Sequence, residues 1–262
     1  MARDRMQKQR FELKYLITEE TALLVRDFVR SYLEFDEYSV GQPNYSYPVH
    51  SLYVDSDRLS LYWDTINGNK NRYKLRLRYY STSPESPVFF EVKRRYNNTI
   101  AKQRGGVRQE FVPLLLQGHL PQMEHLVSKN PSGLFALQAF CSLAHDIHAK
   151  PKVHIYYMRE AYVSDDDQVR VTIDRKVYGE ANLQYAVKTE MKEPALSFPG
   201  DVILELKFTN RFPDWFRELV RIFGVMQCGA AKYCESVQGI GFRKLDVIGP
   251  VYGERVGLPR AR

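Results

Sequence analysis

Apolar and charged residues alternate along Phe11-Glu12-Leu13-Lys14-Tyr15-Leu16-Ile17, the two-residue period of a strand with one buried face. The period then lengthens. Thr18 offers an N-cap, Glu19 and Glu20 fall in the first turn, and Leu23, Leu24, Phe28 and Leu33 follow at helical spacing, so a helix is predicted over residues 18–34. A strand is predicted over 49–55 and a short helix over 56–64, with Asn67-Gly68-Asn69 as a turn. Residues 73–80 alternate cleanly and 87–95 less strictly. Tyr96-Asn97-Asn98 then turns the chain into a basic strand over 99–111, interrupted at Gly105-Gly106.

Between residues 120 and 148 the β character disappears. Pro131-Ser132 opens a predicted helix carrying Leu134, Leu137, Phe140 and Leu143. Strands resume at 152–163, 168–174 and 202–209. A helix over 214–225 puts Trp215, Leu219, Ile222 and Phe223 on one side, and another is expected over 230–237. Strands on both sides of a helical insert point to one sheet system closed on itself. The expected fold class is therefore α+β: an antiparallel β-barrel with flanking helices, forming one domain over 1–248, with a disordered basic tail at 249–262.

Composition adds little until the charges are placed. Hydrophobic residues make up 44% of the 262 and charged residues 26%, ordinary for a globular protein. No run approaches the roughly 18 apolar residues of a membrane span. The start, MARDRMQKQR, lacks the apolar stretch of a secretory signal, so a cytoplasmic setting is expected. Cys141, Cys228 and Cys234 are odd in number and lack CxxC spacing, which argues for free thiols. The net charge of +7 suits an anionic partner without naming it.

Alternation sends Lys74, Arg76 and Arg78 to one strand face and Leu75, Leu77 and Tyr79 to the other. The same split sets Glu12 with Lys14, Glu91 with Lys93, Arg170 with Thr172 and Asp174, and Glu205 with Lys207. Water on the polar face explains any one such strand. Two features of the set argue otherwise. The polar faces are almost purely Lys, Arg and Glu, and three of the predicted strands repeat one Glu-x-Lys unit, at Glu12, Glu91 and Glu205. Cations side by side repel unless an anion lies among them, so the rows are expected to face a polyanion.

These segments resemble a known family. Phe11-Glu12-Leu13-Lys14-Tyr15, Ser51-Leu52-Tyr53-Val54-Asp55 and Lys74-Leu75-Arg76-Leu77-Arg78-Tyr79 are similar to motifs of the vacuolar transporter chaperone (VTC) domain. Phe90-Glu91-Val92-Lys93, Tyr157-Met158-Arg159, Ile173-Asp174-Arg175, Leu204-Glu205-Leu206-Lys207 and Lys232-Tyr233 continue the match in order, over roughly residues 8–240. The resemblance implies a triphosphate tunnel metalloenzyme: an antiparallel β-tunnel lined with charge that makes polyphosphate from the γ-phosphate of ATP with Mn²⁺ or Mg²⁺.

It further implies that Arg76, Arg78, Lys93 and Arg159 are catalytic phosphate ligands, joined in substrate binding by Lys14, Lys74, Lys102, Arg170, Lys207 and Lys232. Glu205 would hold the metal and act in catalysis, with Glu12 and Glu91 as further metal ligands. Ala231 stands where a serine hydroxyl is common in the family. The implied chemistry is phosphoryl transfer by positioning and charge, and an acceptor phosphate is already ionised, so no general base is required. Hydrolysis of a triphosphate by the same fold, and binding of polyphosphate or inositol phosphates without turnover, remain open at this point. The expected partners are ATP or another triphosphate, polyphosphate, and a separate membrane protein at the inner face of a membrane.

Other motifs carry less. His145-x-x-His148 has no third ligand nearby and no HExxH, so a surface helix is expected there. No P-loop is present, and Gly239-Ile240-Gly241 lacks the third glycine of a dinucleotide fingerprint. Basic residues one per alternate position, rather than in a patch, argue against nucleic acid. Trp215 is expected in the core, and Arg255, Arg260 and Arg262 in solvent.

Overall fold

The computed structural model describes residues 11–97, 99–209 and 211–248. Asn98 of the expected turn and the expected basic tail at 249–262, including Arg255, Arg260 and Arg262, lie outside them. The alternating first segment is a strand, β1 (Phe11–Ile17), and Thr18 caps α1 (Glu19–Val29) by accepting from the Thr21 amide at 3.2 Å. The helix stops earlier than the predicted residue 34, and its buried face is Ala22, Val25 and Val29, with Leu23 and Leu24 exposed. Short β2 (Glu34–Phe35) and then β3 (Ser46–Asp55) follow. The next helix, α2 (Ser60–Ile66), begins four residues later than predicted, because the Asp55 carboxylate gathers the amides of Ser56, Leu61 and Tyr62 within 3.0 Å.

Strands β4 (Asn71–Tyr79), β5 (Val88–Tyr96) and β6 (Thr99–Val107) form a meander, followed by α3 (Val112–Leu116) and α4 (Pro131–Asp146). Strand β6 runs through Gly105-Gly106 without interruption. A Cβ on Gly105 would lie 2.7 Å from the Gly133 carbonyl, so the glycine lets α4 rest directly on the strand. The remaining elements are β7 (Lys150–Val163), β8 (Val169–Ala181), β9 (Ala195–Leu196), β10 (Val202–Phe208), α5 (Asp214–Ile222) and α6 (Lys232–Ile240). Strand β8 runs seven residues beyond the predicted end at Asp174, carried past Arg175-Lys176 by a register shift against β7. Gly179 on β8 is the second close approach: a Cβ there would sit 2.6 Å from that of Ser236 on α6.

The strands make one antiparallel sheet in the order β1-β10-β8-β7-β3-β4-β5-β6, with β2 joined to β7 and β9 to β8. The expected closed barrel is not formed. The order ends at β1 and β6, which are not hydrogen-bonded to each other, and both edges are occupied by other segments. The Cys228 amide donates to the Lys14 carbonyl at 2.9 Å and Tyr15 bridges Gln227. At the other edge the Val127 amide donates to the Gly106 carbonyl at 2.9 Å and Val107 bridges Leu126. Where those groups are taken, the edge strands cannot pair with each other. The fold is α+β around an open, curled sheet.

Three apolar clusters clothe the sheet. Helices α1 and α5 cover β1, β8 and β10; here Trp215 is half-buried and stacked on Tyr32 at 4.7 Å, while Ile222 is exposed. Helix α4 covers the Leu75, Leu77 and Phe90 side of β4 and β5. Helices α2 and α6 pack against Tyr53, Ile155, Tyr157 and Ile203. The opposite faces of β4 and β5 carry the charges. Among the described residues no helix is long and apolar enough to cross a membrane.

Candidate functional site

The register of the strands sets the site. Arg76 pairs with Glu91 across β4 and β5, and Lys74 pairs with Lys93, which in turn pairs with Lys102 on β6. On the other side of the sheet Lys14 opposes Glu205, Glu12 opposes Lys207, and Lys207 opposes Arg170. Arg159 opposes Asp174. The sheet curls until its two sides meet: Lys93 Nζ lies 2.9 Å and 3.1 Å from the two carboxylate oxygens of Glu12. The concave face is therefore lined by charge from both sides.

Three carboxylates organise that face. Glu91, with no exposed surface, accepts from Arg76 Nε at 2.8 Å and Lys102 Nζ at 3.2 Å. Burial alone would raise its pKa, but Lys102, Arg76 and Arg78 overcome this and hold it well below the ordinary range. Glu205 lies 3.1 Å from Lys14 Nζ, 2.5 Å from Lys207 and 3.2 Å from Lys232, and is held low against burial by those lysines and Arg159. Asp174 takes a bidentate pair from Arg159 at 2.7 Å and a third contact from Lys232 at 2.7 Å. Glu12, also lowered despite its burial, shares Lys14 with Glu205.

The cations are unequally matched. Among the described residues Arg78 donates to the Tyr157 hydroxyl at 2.9 Å and to Ser51 Oγ at 3.4 Å, yet meets no carboxylate, and its buried Nε has no partner. Lys74 makes no hydrogen bond or ion pair among the described residues, and burial lowers its pKa. Burial also pushes Lys102 down to about 8, with Glu91 opposing, and Lys207 down to about 7, with Glu205 opposing. Tyr53 lies beneath Arg76, whose Nη1 donates to its hydroxyl at 3.2 Å; the phenol falls to about 8 because Arg76, Lys74 and Arg78 outweigh its burial. Among the described residues, Lys14, Lys74, Arg76, Arg78, Lys93, Lys102, Arg104, Arg159, Lys207 and Lys232 thus outnumber Glu12, Glu91, Asp174 and Glu205 on this face. Arg170 stands at one end of the row and pairs with Asp36 at 2.5 Å.

Helix α6 delivers Lys232 from outside the strand pattern. Tyr233 donates to Asp55 at 2.8 Å and stacks on Tyr53, which fixes the helix so that Lys232, its first residue, reaches Asp174 and Glu205. Ala231 precedes it and makes no side-chain cap. Asp174, Tyr53 and Tyr157 were not singled out as site residues from the sequence. Asp174 shares the alternation of Arg170 and Thr172, and that was a usable signal; the tyrosines match core residues in pattern, and only their hydroxyls' contacts separate them.

Metal binding can be tested against this donor set. Among the described residues no three His, Cys, Asp or Glu side chains gather to hold a cation unaided. Glu205 and Glu12 nevertheless supply hard oxygen donors around one lysine, and Mg²⁺-type ions in phosphate sites need only one or two carboxylates beside the substrate's own oxygens. The pair fits such a shared ion. Glu91, on β5, is held by Arg76 and Lys102. His145 and His148, whose rings are 6.1 Å apart at the end of α4, belong to another surface.

A vacuolar transporter chaperone complex subunit 2 from Schizosaccharomyces pombe is 25% identical over 131 residues, covering 47% of this chain and 18% of the relative. A subunit 4 from Trypanosoma brucei brucei is 27% identical over 221 residues, covering 72% of this chain and 27% of the relative. The chain thus matches only about a quarter or less of each relative's length. Among solved structures, the PH1819 protein of Pyrococcus horikoshii OT3 superposes with a TM-score of 0.44 at 14% identity, over 87% of this chain and 98% of that one. The family model of the VTC domain matches residues 9–240, nearly the whole chain. The chain belongs to the VTC domain family.

Proposed function

We propose that the charged concavity binds a triphosphate and a polyphosphate chain and transfers the terminal phosphoryl group of ATP onto that chain. One observation carries the reading. Lys74, Lys93 and Lys102 stand in direct cross-strand register on a recessed face, although like charges directly opposite destabilise a sheet. An extended polyanion lying along that face relieves the repulsion, whereas a neutral or cationic ligand does not.

Arg76, Arg78, Lys93 and Arg159 would hold the reacting phosphates, with Lys14, Lys74, Lys102, Arg170, Lys207 and Lys232 along the chain. Glu91 holds two Arg76 nitrogens on one oxygen and Asp174 holds Arg159 by a bidentate pair, so charge is placed before substrate arrives. Glu205 with Glu12 would hold a divalent cation, Mn²⁺ or Mg²⁺, which supplies positive charge between phosphate groups when bound. The acceptor is an ionised phosphate, so the residues need only align it and neutralise the migrating charge. The relatives are named as subunits of a complex, and a protein partner that receives the product is part of the proposal.

Purified protein incubated with ATP and Mn²⁺ should yield long-chain polyphosphate separable from free phosphate. Arg76→Ala and Glu205→Ala should each lower the rate by at least about 10²-fold, the scale of losing one electrostatic donor. Near-normal turnover by either variant would remove these residues from the site. Release of free phosphate alone would instead assign hydrolysis.

A further inference from the structure

Tyr53 is an ionisable nucleophile among the cations of the concavity, and the phosphate-binding scheme above gives it no task. The register of β3 on β4 sets it directly opposite Arg76, with Ser51 opposite Arg78, so the four side chains share the concave face. The Tyr53 ring is buried and stacked on Tyr233 at 4.9 Å, and the Tyr233 hydroxyl is tied to Asp55 at 2.8 Å. The phenol is thereby held in place. Its oxygen accepts from Arg76 Nη1 at 3.2 Å, and among the described residues its own proton meets no acceptor. Burial works against ionisation, but Arg76, Lys74 and Arg78 more than offset it and lower the phenol to about 8, so a share of it is phenolate near neutral pH.

The guanidinium of Arg76 dictates where a phosphate can lie. Its Nε and Nη2 both meet Glu91, at 2.8 Å and 2.7 Å. The carboxylate repels a phosphate oxygen from that side, which leaves Nη1, the nitrogen that already meets Tyr53. A phosphoryl group held by Arg76 therefore lies next to the Tyr53 oxygen. Chain extension needs an acceptor, and the first turnover has no chain to extend. We propose that Tyr53 is the first phosphoryl acceptor, a self-phosphorylation site that primes synthesis. In this step the Tyr53 oxygen bonds to the terminal phosphorus of ATP, the bond from that phosphorus to the bridging oxygen breaks, and ADP leaves with the electron pair. The phenol proton passes to solvent. The phosphotyrosine so formed presents an ionised phosphate to the next triphosphate. The inference rests on the phosphoryl-transfer reading above and adds to it the group that starts the chain.

The test incubates the full chain with Mn²⁺ and ATP labelled in its γ-phosphate, without primer, and locates the label by peptide mapping and mass spectrometry. Wild type should carry it on Tyr53 as an alkali-stable ester, in part with further phosphoryl groups on the same residue. Tyr53→Phe keeps the ring against Tyr233 and removes only the acceptor oxygen. It should take up no label and should make polyphosphate only after a lag when no primer is present. Added tripolyphosphate should abolish the lag and restore the wild-type rate, a rescue that a merely structural loss would not allow. The proposal is overturned if wild type starts chains without label on Tyr53, or if it starts none until primer is added. Label confined to another residue, or a Tyr53→Phe defect that persists with tripolyphosphate, would overturn it equally. Absence of polyphosphate from wild type even with tripolyphosphate would refute the transfer reading itself, and the priming role with it.

Discussion

Glu91→Gln tests whether the concavity is built around missing anion charge. The side chain is fully buried between Arg76 Nε at 2.8 Å, Arg76 Nη2 at 2.7 Å and Lys102 Nζ at 3.2 Å. The amide keeps the shape and removes the charge. Breaking a buried pair by neutralising one partner costs about 3–5 kcal/mol, because the other charge stays desolvated. Lys102, already pushed down to about 8, can release its proton cheaply, so most of the cost falls on Arg76 and the lower figure of about 3 kcal/mol applies. For a chain of this size each kcal/mol moves Tm by roughly 2–4 °C, giving a fall of about 6–12 °C by circular dichroism. The same reasoning requires rescue. A bound polyanion supplies the charge that Gln lacks, so tripolyphosphate should raise the Tm of the variant by more than it raises that of wild type. A Tm within 2 °C of wild type, or an equal ligand-induced shift in both, would refute the account.

Lys207 and Lys102, pushed down to about 7 and 8, are partly neutral in the free protein near pH 8, and a polyanion favours their charged forms. Binding of tripolyphosphate should take up protons and weaken as pH rises through 7–8, read by calorimetry in buffers of different ionisation enthalpy. Gly179→Ala should push α6 away at Ser236, one turn from Lys232; overpacking of about 1–3 kcal/mol should lower Tm and weaken tripolyphosphate binding together, whereas unchanged affinity would detach Lys232 from the site. His50 and His154 share a 3.0 Å contact beneath Tyr79, and burial lowers them to about 4 and 3. The unfolded chain protonates first, so stability should be lost as pH falls below about 6.5, and the double variant His50→Phe with His154→Leu should flatten the urea midpoint between pH 7 and 5.

How much of this was legible beforehand differs from element to element. The period-two rows placed Lys74, Arg76 and Arg78 on one face and Leu75, Leu77 and Tyr79 on the other, and that division holds because side-chain direction in a strand is a local property. Thr18 as a cap and Pro131 as the first residue of α4 were equally local. The start of α2 was not, since Asp55 reaches forward six residues to set it. The face of α1 that is buried depends on where β10 and α5 lie, so Leu23 and Leu24 looked like core residues and are exposed.

Alternation alone determined that rows of Lys, Arg and Glu exist, and the motif resemblance determined the family. Only the tertiary structure decided what the rows do to one another. Whether a sheet closes depends on which distant segments reach its edges, and residues 227–228 and 125–127 take the hydrogen bonds that closure would need. Register across strands decided that Lys74, Lys93 and Lys102 stand opposite one another while Arg76 faces Glu91. The rows did come to face a shared interior, but through curling and the Lys93–Glu12 contact rather than through a closed ring, because edge pairing and sheet curvature are non-local and no single strand encodes them.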